Sequence, residues 1–261
     1  MRSAVPNPAL DAFVKQIAPE FVLAQALVQK VREGFAMTHV SDREAQSLHD
    51  VTAEQLRDIA QFTSEGKFRP LKSAPTLQRG WRFIAHDSSD LNDALQCLYP
   101  GAIADWFAAQ CPMPPVTGYR AFTGRQTGMY RVTATLSDTQ VEQLARACCA
   151  AEFCLKQRLW TIEGLNCEQD AGKSAIPCLA PCAVLLEFAR TAARIEQQDK
   201  RAISFAPAEL ETCMAALEHA AESPNDELRE ADFSAPENPR RVRLVLEKMR
   251  TLVAGGPNEN D

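Results

Sequence analysis

Three prolines fall within ten residues in CPMPPVTGYR, residues 111–120. Each removes a backbone donor and crowds the preceding turn, so no helix continues through such a stretch. The interruption divides the chain into two pieces, expected at 1–115 and 116–261. The pieces differ in pattern. The first mixes strand and helix signals, and the second is nearly all helix. The expected fold class is α+β: a small mixed N-terminal domain, with a hairpin and short strands plus helices, followed by a mainly helical domain.

In the first piece, residues 7–18 read as a short helix. LAQALVQKVREGFAMTHV reads as a hairpin turning at Glu33-Gly34, since glycine takes positive φ at no steric cost. A helix over 22–31 is the competing reading. Thr52 caps AEQLRDIAQF, and WRFIA (81–85) is a short strand. Ser88 or Ser89 opens a helix whose apolar stripe is Leu91, Ala94, Leu95 and Leu98, and Pro100-Gly101 ends it. AIADWFAAQ adds another helical turn or two. In the second piece, SDTQVEQLARACC is a helix capped by Ser137 or Asp138. Further helices are expected over 182–198, 208–222 and 237–253.

A formal charge of −6 without a basic stripe excludes a sequence-independent grip on phosphates, so no nucleic-acid partner is expected. The apolar stretch Ser174 to Leu186 is too short to span a bilayer and contains two prolines, so no membrane partner is expected either. MRSAVPNPALDAF carries prolines and an aspartate where a secretory signal needs an apolar core, which predicts a cytoplasmic protein. In a reducing compartment, nine cysteines point to metal or redox chemistry rather than disulfides.

Helical period sorts those cysteines. Val141, Leu144, Ala145 and Cys148 follow i, i+3, i+4, i+7, so Cys148 faces the core. Cys149 is turned about 100° from that stripe and must go elsewhere. Cys213 lies with Leu210, Met214 and Leu217 and is expected in the core, as a structural role is for Cys97 and Cys111. Cys149, Cys154, Cys178 and Cys182 group well, as C-x4-C and C-x3-C. Five residues apart on one helix, Cys149 and Cys154 would diverge by about 140°, so the helix must end between them. Pro181 suits a first helical position, which sets Cys182 in the first turn and Cys178 on the loop leading to it. Backbone amides at a helix start favour sulfur that carries negative charge. Lys156 and Arg158 would offset the same charge, and Trp160 is read as a core residue ahead of a shield. Cys167, midway between the pairs, could replace any one of the four.

Spacing alone leaves three readings open: a 4Fe–4S cluster, a structural four-cysteine zinc site, for which gaps of two to four residues are allowed, and buried cysteines that merely fall near one another. RQTGMYRVT, FCLKQRLWT and the C-x3-C-AVLLEFAR segment together resemble the iron–sulfur cluster-binding domain found attached to sirohydrochlorin (CbiX-type) chelatase domains. AQFTSEGKFRPLKSAPTLQRGWRF and ALQCLYPGAIADW resemble the stabilising region that precedes it. The resemblance runs from about Phe21 to Arg194 and implies one 4Fe–4S cluster on Cys149, Cys154, Cys178 and Cys182. It also implies electron transfer or an accessory role linked to tetrapyrrole or cobalamin metabolism, with a redox protein or a chelatase as partner. At 261 residues the chain leaves no room for a chelatase domain, so that activity is not carried over. The alternative is a zinc-braced interaction module without redox activity. A thiol sensor is a third idea.

GRQTGMYR, with Arg125 and Arg131 near two glycines, lacks the Lys-Ser/Thr of a phosphate loop and reads as structural, with Tyr130 or Arg131 packing near the cluster. The four histidines show no metal spacing, and His39 is expected to face solvent. No nucleophile elbow or dinucleotide fingerprint is present, and no catalytic residue is assigned. The sequence sets no oligomeric state.

Overall fold

A computed structural model describes residues 7–62, 66, 68, 77–162, 175–222 and 233–254. The chain forms two compact units. The first runs to Val116 and takes in Cys154–Leu159 and the segment ending at Leu179. The second takes Thr117–Phe153, the segment opening at Trp160, and the chain from Ala180 onward. The α+β class holds, but each unit is assembled from separated stretches of sequence.

In the first unit, helix α1 (Pro8–Gln16) starts with Asn7, whose side chain accepts the Leu10 amide at 3.1 Å. A five-stranded sheet follows: β1 (Glu20–Leu23), β2 (Ala26–Val31), β3 (Gly34–His39), β4 (His49–Asp50) and β5 (Trp81–Ala85). Its order is β1-β2-β3-β5-β4, antiparallel except where β4 runs beside β5. The hairpin reading of 21–40 is the one realised, and the competing helix over 22–31 is not. Gly34 is held there twice over. Its φ is +108°, and a Cβ would come within 2.1 Å of the Ala85 carbonyl oxygen of β5. Only a residue without that carbon lets the two strands close.

Helix α2 (Ala53–Gln61) carries a reciprocal capping box between Thr52 and Gln55. Helix α3 (Ser88–Leu98) is capped by Asp87, which accepts the Asp90 amide at 2.9 Å. Ser88 opens the helix, one of the two starts expected. The carboxylate one residue earlier reaches the free amide, and both serines fall inside the helix. Gly101, at φ +75°, turns the chain into α4 (Ala102–Ala109). The stripe Leu91, Ala94, Leu95 and Leu98 is buried as expected, in one core with Phe13, Val28, Met37, Leu56, Trp81, Ile103 and Trp106. Phe13 meets Phe21 and Trp106 edge-on at 5.1 and 5.5 Å.

Two strands of this unit come from the cysteine-bearing region. β6 (Lys156–Arg158) and β7 (Ile176–Cys178) pair in parallel, and Ile176 joins the core. The expectation of helix almost throughout the second half is corrected here. Each strand is three residues long and β7 is centred on Pro177, so neither shows the alternation that marks a strand. His39 is also corrected. It is buried, and its Nδ1 accepts the Ser41 amide at 3.1 Å. Burial lowers its pKa; Asp42 opposes that shift and Arg79 assists it.

The second unit is built from α5 (Tyr119–Thr123), a 3-10 segment over Gly128–Thr135, α6 (Asp138–Cys148), α7 (Ala183–Glu196), α8 (Pro207–Glu222) and α9 (Pro239–Ala254). Tyr119 donates to the Thr133 carbonyl at 2.9 Å, and burial pushes its pKa up to about 12. Trp160, fully buried, stands 6.4 Å from the Tyr119 ring as a core residue. The GRQTGMYR stretch packs through Tyr130, which donates to Glu187 of α7 at 3.1 Å while Arg190 lies 5.5 Å over its ring. Arg125 and Arg131 are exposed. Helix α8 departs from expectation. Leu210, Cys213, Met214 and Leu217 are only half-buried, and Ala221 alone of the helix is fully buried. It lies on α9 with most of its surface open, so its stripe is partly covered where a core helix's would be enclosed.

Candidate metal centre

The four sequence-predicted ligands fall in both units: Cys149 and Cys182 in the second, Cys154 and Cys178 in the first. Each is placed by its own local structure. Helix α6 opens with a capping box between Ser137 and Gln140 and buries Val141, Leu144, Ala145 and Cys148. Cys149 is its C-cap, with its amide donating to the Ala145 carbonyl at 2.8 Å. The helix therefore stops where the Cys149–Cys154 spacing requires. Ala150–Phe153 forms a turn closed by the Phe153 amide on the Ala150 carbonyl at 2.9 Å. Cys148 goes to the core, and Cys149 is left half-buried.

Cys182 is the N-cap of α7, one position ahead of the first turn expected for it, and Pro181 precedes the cap instead of opening the helix. The backbone at Cys182 is extended, and its carbonyl accepts the first helical bond, from Leu186 at 3.0 Å. The sulfur closes no full capping hydrogen bond. It still feels the helix start. Burial pushes the Cys182 thiol up, while the Leu185 and Val184 amides and the Arg240 guanidinium pull it down. Cys149 adds to the upward push, so the two sulfurs are close enough to act on each other. Burial outweighs that pull, so the Cys182 pKa stands above its ordinary value; the two amides and the guanidinium are the groups that would face a negative centre there.

Cys178 ends β7 and is buried, 9% exposed, where a loop position was expected. Its carbonyl accepts the Leu159 amide at 3.0 Å, which extends the two-stranded ladder. Cys154 precedes β6, and its sulfur lies 3.7 Å from the Lys156 carbonyl oxygen. The parallel register sets Lys156 opposite Ile176 and Arg158 opposite Cys178, so the ladder does not put Cys154 and Cys178 across from each other. Lys156 was expected to offset cluster charge, but its ammonium donates to Asp105 at 2.8 Å. Among the described residues, no group of three or more His, Cys, Asp or Glu side chains is gathered to hold a metal ion. Of the four, Cys149 and Cys182 act on each other through their charges. Cys167 lies outside the described residues. Cys97 packs against the first unit's core and Cys111 is exposed.

One neighbour of the pair escaped the sequence reading. Arg240, the second residue of α9, is 3% exposed. Its Nε donates to the Cys148 carbonyl at 3.3 Å and its Nη2 to the Phe153 carbonyl at 2.7 Å. The signal was present in PRRVR, which puts three arginines in the opening residues of a helix, the end where cations are disfavoured.

Residues 111–191 match the family model of a 4Fe-4S iron-sulfur cluster binding domain, and residues 8–110 match that of the DR2241 stabilising domain. Both halves of the resemblance read from the sequence are thus shown. Among solved structures, DR2241 from Deinococcus radiodurans is similar, with a TM-score of 0.60 at 28% sequence identity. It is described as a multi-domain protein with structural similarity to chelatases and two additional novel domains. The match covers 72% of this chain and 42% of that one, so this chain spans less than half the length of its relative. No curated protein matches. Among the described residues, no helix is long and apolar enough to cross a membrane.

Proposed function

We propose that the chain holds one 4Fe–4S cluster through Cys149, Cys154, Cys178 and Cys182 and serves as an electron-transfer or accessory protein. The observation that carries the reading is the match of residues 111–191 to a cluster-binding domain. Bound to thiolates, such a cluster supplies one-electron transfer. The chain's part is to hold and tune. Cys182 stands at the positive end of α7 as its N-cap, and Cys149 leaves α6 at its C-cap. The partner proposed is a redox protein or a chelatase of tetrapyrrole or cobalamin metabolism, a choice supported by the chelatase similarity described for the Deinococcus protein.

The test is purification without air, followed by iron and acid-labile sulfide assay. Brown protein with iron and sulfide in equal amounts, whose visible absorbance bleaches with dithionite, supports the proposal. Colourless protein holding about one zinc per chain replaces the cluster with a structural brace. Full iron retention after serine replacement of all four cysteines removes the ligand assignment.

A further inference from the structure

We propose that Arg240 is a positioning residue of this centre: it clamps both ends of the Cys149 loop and fixes a positive charge against the backbone that carries Cys149. The inference rests on the cluster reading above but comes from a residue outside the matched stretch 111–191.

A guanidinium at this depth is costly unless its donors are met. Its position in α9 adds to the cost, because the start of a helix repels cations. The contacts show what offsets both. The Cys148 carbonyl belongs to the last residue of α6, at the negative end of that helix. The Phe153 carbonyl stands at the end of the turn that follows, and the guanidinium carbon lies 5.0 Å over the Phe153 ring. The two carbonyls bracket Cys149–Glu152, so one planar fork sets the span of the loop that delivers Cys149. A lysine would keep the charge but offers no rigid fork to bridge two acceptors. Asn238, itself buried, accepts the Arg240 amide at 3.1 Å and anchors the start of α9. The guanidinium it steadies lies against the peptide that joins Cys148 to Cys149. A cation held there favours the more negative, reduced form of a thiolate-bound centre and so raises its potential.

Arg241, the next residue of α9, gives the contrast. Its Nη1 donates to the Ser234 carbonyl at 2.8 Å, outside the loop that delivers Cys149.

The test compares R240K, R240M and R241M in the full chain. In metal-free protein, amide exchange over residues 146–153 should quicken by about tenfold in R240M and R240K and stay near wild type in R241M. In reconstituted protein, loss of iron to a chelator should quicken by about tenfold or more in both Arg240 variants. R240M should also lower the midpoint potential by about 59 mV, a tenfold change in the oxidised-to-reduced ratio, while R240K keeps it. Wild-type exchange and iron retention in R240K overturn the clamp, and that variant decides alone should R240M fail to fold. An unchanged potential in R240M overturns the electrostatic role. If the wild-type chain takes up no iron, the cluster reading fails, and the exchange comparison on metal-free protein still decides the clamp.

Discussion

In the first unit, the side chains at the bottom of the core are rings and branched chains; in the second, a guanidinium sits equally deep. Ile103 and Arg240 are each 3% exposed. Around Ile103 the neighbours are apolar, and burial needs no partner beyond close packing. Around Arg240 every contact described has a polar or π component: two carbonyls, an asparagine and an aromatic face. Ion pairs nearer the surface do not separate the units: Arg82 binds Asp50 and Lys156 binds Asp105 in the first, as Arg120 binds Asp138 and Arg190 binds Glu187 in the second. What differs is depth: among the described residues, Arg240 of the second unit is the one cationic side chain that is buried. The first unit holds most of the stretch matched to a stabilising domain, and the second most of that matched to a cluster-binding domain.

The largest effect expected separates the two roles. Cys182→Ser should abolish bound iron and leave the sheet of the first unit folded, as iron assay and amide exchange over β2 and β3 would show. A serine variant that keeps its iron would break the comparison at its root. Next in size, Leu91→Ala should cost about 3 kcal/mol by removing a fully buried side chain from the apolar core. Urea unfolding checks it, and a loss below about 1 kcal/mol would mean that core is looser than its burial indicates. Gly34→Ala should cost about 2 kcal/mol or more, since the added carbon meets the Ala85 carbonyl at a backbone conformation that also disfavours it.

The units also differ in how far the sequence disclosed them. The α3 stripe and the split of Cys148 from Cys149 were legible because helical period is a strong, local signal. The end of α6 was legible for a geometric reason: two cysteines five apart cannot converge on one unbroken helix. Strands β6 and β7 were hidden because three residues around a proline carry no period. His39 was misplaced because nothing local shows which face of a strand is covered. Arg240 was missed because a charged residue near a helix start reads as solvated surface, and only its carbonyl partners, some ninety positions earlier, reveal otherwise.

The smallest expected effect concerns acid. In the first unit, burial holds the His39 pKa below its ordinary 6.5, and Nδ1 must stay unprotonated to accept the Ser41 amide. The unfolded chain then binds the proton first, so the stability tied to His39 is full above about 6.5 and is lost as pH falls below it. In the second unit, burial raises the Glu196 carboxyl, but Lys248 and Lys200 outweigh it and leave the pKa below its ordinary 4.5. Its contribution, about 1 kcal/mol for a partly buried pair, is full above that value and fades only as pH falls through the lower folded one. Acidification from pH 7 to 5 should therefore lower protection against amide exchange in β3, measured relative to the intrinsic rate at each pH, while leaving that of the α7–α9 contact unchanged, and His39→Gln should flatten the first response. Equal loosening of both units over that range would show that buried histidine and paired carboxylate do not distinguish them.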